Sequence, residues 1–185
     1  MNLSIKPIPS IREMSLNDVE GVILIEREIF LFPWTPVNFT DSIKAGYQCR
    51  VMEYGDAIVG YGILMLGLDE GHLLTIGIAA QWHHRGLGTQ LLQYFIDLAR
   101  SKQLTSFLLD VRESNTGALY LYQRMGFKQI GVRKGYYPAM CGRGIAKKPL
   151  ILPIGNAVSG KTWKYSNQDF LLLLQPLLLP SPEGA

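Results

Sequence analysis

Cysteine is nearly absent from this chain. Its 185 residues hold two, Cys49 and Cys141, far apart and without a CxxC partner. That argues against a disulfide framework or a thiolate zinc site, and two reduced thiols are expected. Long apolar runs are missing as well. The longest, residues 170–179, is broken by Gln175 and Pro176, whereas a membrane-spanning helix needs roughly 20 residues. The opening MNLSIKPIPSIREM has two prolines and no uninterrupted apolar core, so no signal peptide is expected and the protein is expected to be cytoplasmic. Excess charge is also absent from most of the chain. Residues 1–140 carry 13 Lys and Arg against 13 Asp and Glu, and the net +3 comes from Arg143, Lys147, Lys148, Lys161 and Lys164 set against Asp169 and Glu183. A basic nucleic-acid face on the main body is therefore disfavoured. Histidine is scarce too. His83 and His84 are adjacent, so their side chains diverge, and no third ligand is near; no metal site is expected. His72 reads as an ordinary strand residue.

What the chain does have is 48% hydrophobic against 18% charged residues, enough for a sizeable core. Helix and strand periods alternate through the first 135 residues. A strand is expected over 5–14. Ser15 and Asp18 then form a capping pair ahead of Val19, Val22, Ile23, Glu26, Ile29 and Phe30 at helical spacing. Thr35-Pro36 starts a second helix, with a capping hydroxyl and proline at the first helical position. Strands follow over 47–54, 57–68 and 73–80, then an amphipathic helix over 88–102, a strand over 104–111, a helix over 115–125 and a strand over 127–133. The order β-α-α-β-β-β-α-β-α-β, without an internal repeat, predicts an α/β (α+β) sheet domain with helices on its faces. The sequence carries no signal of oligomeric state.

From Cys141 the pattern deteriorates under repeated glycine and proline, which divides the chain into residues 1–140 and an atypical segment, 141–185. Two readings of that segment stand. Either it contains an inserted loop followed by a strand near 168–174, or the final strand of the sheet is missing, which would leave an exposed edge. The last ten residues read as disordered. Residues 155–162 match the G-x-x-x-x-G-K-T spacing of a P-loop. No long helix follows Lys161-Thr162, and only 23 residues remain, too few for a nucleotide-hydrolysing core.

The sharpest motif is His83-His84-Arg85-Gly86-Leu87-Gly88-Thr89, between an apolar strand and an amphipathic helix. Glycines there let consecutive N–H groups point outward at a helix N-terminus, where the dipole favours an anion such as pyrophosphate. The G-x-G spacing alone is weak, and it lacks the acidic partner of a dinucleotide fingerprint. Its neighbours add to it: Ile76-Gly77-Ile78, Leu109-Asp110-Val111-Arg112, Ser114-Asn115, Ala118-Leu119-Tyr120-Leu121-Tyr122 and Gly126-Phe127, in that order. This series resembles the GNAT acetyltransferases. With Phe32-Pro33-Trp34-Thr35 and Gly135-Tyr136-Tyr137-Pro138 it is similar to the RimI-type ribosomal-protein-alanine N-acetyltransferases over roughly residues 10–140.

The resemblance implies a mixed, mostly antiparallel sheet with two splayed central parallel strands and helices on both faces. It implies acetyl-CoA as co-substrate, lying in the cleft between those strands. Ile76, Gly77 and Ile78 would meet the pantetheine and thioester; His84, Arg85, Gly86, Leu87, Gly88 and Thr89 the pyrophosphate; Asn115 the cofactor further along. The implied activity is N-α-acetylation of a protein N-terminal amine, the N-terminal alanine of a small-subunit ribosomal protein. Asp110 matches the base position, acting directly or through water, with Glu70 or Glu113 in reserve. An alternative makes Asp110 a strand-end charge paired with Arg112 or Arg85. Tyr122 matches the acid position, with Tyr120 competing for the inward face. Phe32, Pro33 and Trp34, together with Tyr136 and Tyr137, match loops that clamp the peptide. Another amine as substrate, or a non-catalytic acetyl-CoA-binding module, are the competing readings.

Overall fold

The structure, a computed structural model, describes residues 8–131, 133–137 and 145–154, with only the backbone given for 133–137 and 145–147. Among the described residues there are eight strands and four α-helices: β1 (Ser10–Glu13), α1 (Val19–Ile29), α2 (Pro36–Lys44), β2 (Gln48–Tyr54), β3 (Ala57–Leu66), β4 (Glu70–Ile78), α3 (Leu87–Ser101), β5 (Ser106–Arg112), α4 (Thr116–Arg124), β6 (Lys128–Gln129), β7 (Arg133–Tyr137) and β8 (Ile145–Pro153). The strands form one sheet in the order β1-β2-β3-β4-β5-β8, and the far edge of β8 is shared by β6 at one end and β7 at the other. Every pairing is antiparallel except β4 with β5.

Side-chain alternation along the strands gives the sheet two apolar faces. On one face, Val51, Tyr61 and Ile63 pack with Val22, Ile23 and Ile25 of α1 and Phe39 of α2. On the other, Met52, Val59 and Leu73 pack with Leu91, Leu92, Phe95, Ile96 and Ala99 of α3, and Tyr122 of α4 joins Phe127 there. Helix α2 begins as its sequence requires: the Asn38 N–H donates to Thr35 Oγ1, the Thr35 N–H donates to Asn38 Oδ1, and Pro36 takes the first helical position. Arg12 of β1 grips Asp18 with two nitrogens at 2.8 Å and reaches Glu53 at 2.7 Å, fastening the start of α1 to the sheet. These hydrogen bonds hold the Asp18 carboxyl well below the usual carboxylate range. Cys49 is buried, which pushes its thiol up to about 11; Cys141 lies outside the described residues.

The place beside β5 is taken by β8, so the sheet continues past residue 140, into the stretch that looks atypical in the sequence. Neither reading of the tail anticipates this. Lys147-Lys148-Pro149 hides the strand, because two charges and a residue without an N–H read as a break. The break does not occur, because Pro149 still offers its carbonyl to the Ile130 N–H at 3.1 Å, while Leu150 and Ile151 are buried. The single strand expected over 127–133 is instead two short ones, β6 and β7, with residues 130–132 between them. The P-loop-like residues 155–162 and the strand expected near 168–174 lie outside the described residues.

Candidate active site

The parallel pair β4–β5 is short. Its register runs from Glu70 opposite Ser106 to Leu73 opposite Leu109 and stops there, although β4 continues to Ile78 and β5 to Arg112. Each strand stays paired on its outer side, Ile78 with Gly60 and Arg112 with Lys147, so the two inner edges open away from one another. The cause sits at the opening. Ile63 of β3 faces Thr75 and the next residue, Leu64, faces Leu73, which leaves Leu74 as an extra residue on β4. Such a bulge bends and twists its strand.

The opening is a cleft of about 930 Å³. Its walls are Thr75, Ile76, Gly77 and Ile78 from β4 and Asp110, Val111 and Arg112 from β5. His83, His84, Gly86, Leu87, Gly88 and Thr89 close one end, while Asn115 and Tyr122 come from the α4 side and Phe32 and Trp34 from the α1–α2 loop. Most residues expected at the site from the sequence therefore meet in one place. Two of the described ones, Arg85 and Pro33, do not line the cleft. Arg85 is exposed and lies over the Trp82 ring, 4.6 Å from its centroid. Tyr136 and Tyr137 are on β7, where only backbone is described. Of the reserve bases, Glu70 sits at the opposite end of β4 beside His72, at 3.4 Å, and Glu113 is exposed and paired with Lys148 at 3.0 Å. Among the described residues there is no group of three or more His, Cys, Asp or Glu able to hold a metal ion.

The turn into α3 fits an anionic group. Gly86 occupies the N-cap position at φ +79°, and no side chain caps the helix. The first intrahelical bond is from the Gln90 N–H to the Gly86 carbonyl, so the N–H groups of Leu87, Gly88 and Thr89 have no partner within the helix, and all three residues line the cleft. Those donors and the positive end of the dipole suit a pyrophosphate. His83 fastens the turn by donating its Nε2–H to the Ile78 carbonyl at 2.7 Å, which ties the loop to the last residue of β4. A Cβ at Gly86 would meet nothing within 4 Å, so a substitution there acts through backbone strain alone. Gly86→Ala is expected to raise the dissociation constant for a pyrophosphate-bearing ligand by up to about tenfold, the free turn relaxing out of the left-handed shape so that its penalty of about 1–2 kcal/mol is met on binding. Isothermal titration calorimetry measures it.

Tyr122 is 7% exposed and lines the cleft, whereas Tyr120 is 64% exposed under the guanidinium of Arg124, so Tyr122 holds the inward position. Burial pushes its phenol up to about 12. Asn115 caps α4, accepting the Ala118 N–H at 3.1 Å, and faces the cleft from that post.

Glu26 is the residue that sequence reasoning misses. It is 1% exposed and lines the cleft. Oε1 accepts the Trp34 N–H at 2.8 Å, and Oε2 accepts the Tyr61 hydroxyl. Burial raises its pKa, opposed by those two hydrogen bonds and by the charge of Arg112 across the cleft. The signal in the sequence is a carboxylate at an apolar helical position, where an unpaired charge would be costly.

An internal strand split, an uncapped helix N-terminus and a buried tyrosine in one cleft suit a long thioester cofactor with a pyrophosphate. Known proteins agree. Residues 19–127 match the model of the acetyltransferase (GNAT) family. The ribosomal protein bS18-alanine N-acetyltransferase of Salmonella typhimurium is 30% identical over 129 residues, 70% of this chain and 87% of that one. The crystal structure of the ribosomal-protein-S18-alanine N-acetyltransferase from Escherichia coli superimposes with a TM-score of 0.75 at 27% identity, over 85% of this chain and all of that one. A Salmonella typhimurium protein solved with its cofactor acetyl-CoA has the same fold, with a TM-score of 0.68 at 17% identity over 84% of this chain and 99% of that one. With acetyl-CoA as its co-substrate, the chain belongs to the acetyltransferase (GNAT) family.

Proposed function

We propose that the cleft between β4 and β5 holds acetyl-CoA and that this enzyme is an N-α-acetyltransferase of the N-terminal alanine of a small-subunit ribosomal protein. It acts in the cytoplasm on a protein N-terminus and makes no direct use of nucleic acid. The observation that carries the reading is the meeting of two sides in one cleft. Phe32 and Trp34 come from the α1–α2 loop, and Asp110 and Tyr122 come from beyond the split. Similarity to ribosomal-protein-alanine N-acetyltransferases over 70% of the chain supports the substrate class.

When bound, acetyl-CoA supplies an acetyl thioester open to attack by an amine. The chain's own residues would do the rest. The N–H groups that β5 leaves unpaired along the inner edge of β4, near Ile78, lie where charge on the thioester oxygen would be stabilised. A terminal ammonium has a pKa of about 8 and must lose its proton before it attacks. Asp110, at the first position of β5 past the last pair with β4, takes that proton through water, its carboxylate being one methylene shorter than the glutamate the family carries. Tyr122 gives a proton to the departing sulfur.

Incubation with acetyl-CoA and a panel of peptides and small amines, read by mass spectrometry, tests the proposal. The expected product is a peptide beginning with alanine that is acetylated at its terminal nitrogen. Acetylation of small amines alone would replace the substrate, and acetyl-CoA binding without any acetylated product would leave only a binding module.

A further inference from the structure

Glu26 has three features that a helix residue buried for packing does not need. Its two carboxyl oxygens serve different parts of the molecule. Oε1 takes the backbone N–H of Trp34, in the loop that lines the acceptor side of the cleft, and Oε2 takes the hydroxyl of Tyr61 on β3. Tyr61 lies opposite Gly77 of the cofactor strand. Arg112, on the other wall, faces Glu26 and stacks on Phe32 of the same loop, 5.0 Å from the ring centroid. The acceptor loop is therefore held from both walls of the cleft, from the α1 side by a carboxylate and from the β5 side by a guanidinium.

We propose that Glu26 is a positioning residue for the acceptor substrate. Its carboxylate fixes the Phe32–Trp34 loop at the cleft through the Trp34 N–H, and Tyr61 orients that carboxylate from the cofactor strand's side. This rests on the reading of the cleft as a peptide acetyltransferase site. Burying a carboxylate is expensive, and an apolar side chain would fill the space on α1 more cheaply. What the apolar side chain could not do is accept the loop's N–H, which has no partner in secondary structure.

The variant is Glu26→Gln in the full chain, with Tyr61→Phe as a second that leaves the carboxylate in place. In Glu26→Gln the peptide KM is expected to rise about tenfold, with the acetyl-CoA dissociation constant within about twofold of wild type. Tyr61→Phe is expected to shift the peptide KM in the same direction by a smaller factor. Amide hydrogen exchange supplies a readout that needs no turnover. Exchange at Trp34 is expected to be at least about tenfold faster in Glu26→Gln, because the bond that protects that amide is weakened. Unchanged Trp34 exchange overturns the proposal, and so does an acetyl-CoA dissociation constant that rises as far as the peptide KM. A wild-type enzyme that acetylates no peptide would defeat the substrate reading instead, and the exchange result would still decide the role of Glu26.

Discussion

Tyr122→Phe is expected to lower kcat for peptide acetylation by about 10²–10³-fold while leaving the acetyl-CoA dissociation constant within about twofold. The substitution removes one oxygen and little else. The ring is fixed by the apolar cluster and by Phe127, whose centroid is 5.6 Å away, so phenylalanine keeps the packing. Burial has pushed the phenol up to about 12, and no charge contributes to that shift. The proton therefore stays on through the whole working range and is always available to the departing sulfur. A phenol this weak would be a poor donor to a thiolate in water, whose pKa is about 8.5. The same desolvation that raises the tyrosine raises a thiolate formed beside it, which narrows the gap and favours donation along the breaking bond. The alkaline limb from Tyr122 then lies near pH 12, beyond ordinary assays, and the rise in rate from about pH 6 to 9 follows loss of the amine proton. Full turnover in Tyr122→Phe, measured by steady-state kinetics, would end this assignment.

Gly77→Ala is expected to damage both fold and site. A Cβ there would stand 2.5 Å from Ile29 Cδ1 and 2.9 Å from both Cε1 and Oη of Tyr61. The isoleucine tip can swing aside. Tyr61 cannot, because it is fully buried and its hydroxyl is held by Glu26. The strand must move instead, and the part that moves is the open inner edge of β4. Overpacking of this kind costs about 2–3 kcal/mol, a fall in Tm of roughly 5–10 °C for a chain of this size. Thermal denaturation reads that loss, and calorimetry is expected to show weaker acetyl-CoA binding in the same variant. An unchanged Tm with full affinity would mean that Tyr61 has room to yield.

The elements with clean periods are legible in the amino-acid sequence. Leu91, Leu92, Phe95, Ile96 and Ala99 read as one helical face and form one, because burial on a single side is the physics behind both the pattern and the packing. The glycine turn is legible because only a few backbone shapes suit its residues, and Gly86 takes the left-handed one. Strand β8 is not, since its core residues come after two lysines and a proline that local rules read as a stop. Glu26 is visible only as a match to helical spacing. What makes it matter is Tyr61 from β3 and Trp34 from a loop, partners that the sequence does not set beside it. Glu70 and Glu113 show the converse, being near the right strands in sequence and away from the cleft in space.

The extra residue at Leu74 has a mechanical consequence. Strands β1 to β4 form one antiparallel half of the sheet and β5 with β8, β6 and β7 the other, and the parallel seam joining them has four residue pairs. Beyond that seam the halves part, and the groove is the line along which the sheet would otherwise have continued. A cofactor held there would face the inner edges of β4 and β5, whose amides and carbonyls past Leu73 and Leu109 could supply the hydrogen bonds that the missing pairs do not. Holding the cofactor and closing the sheet would then be one event, and the molecule would be stiffened across its middle by what it binds.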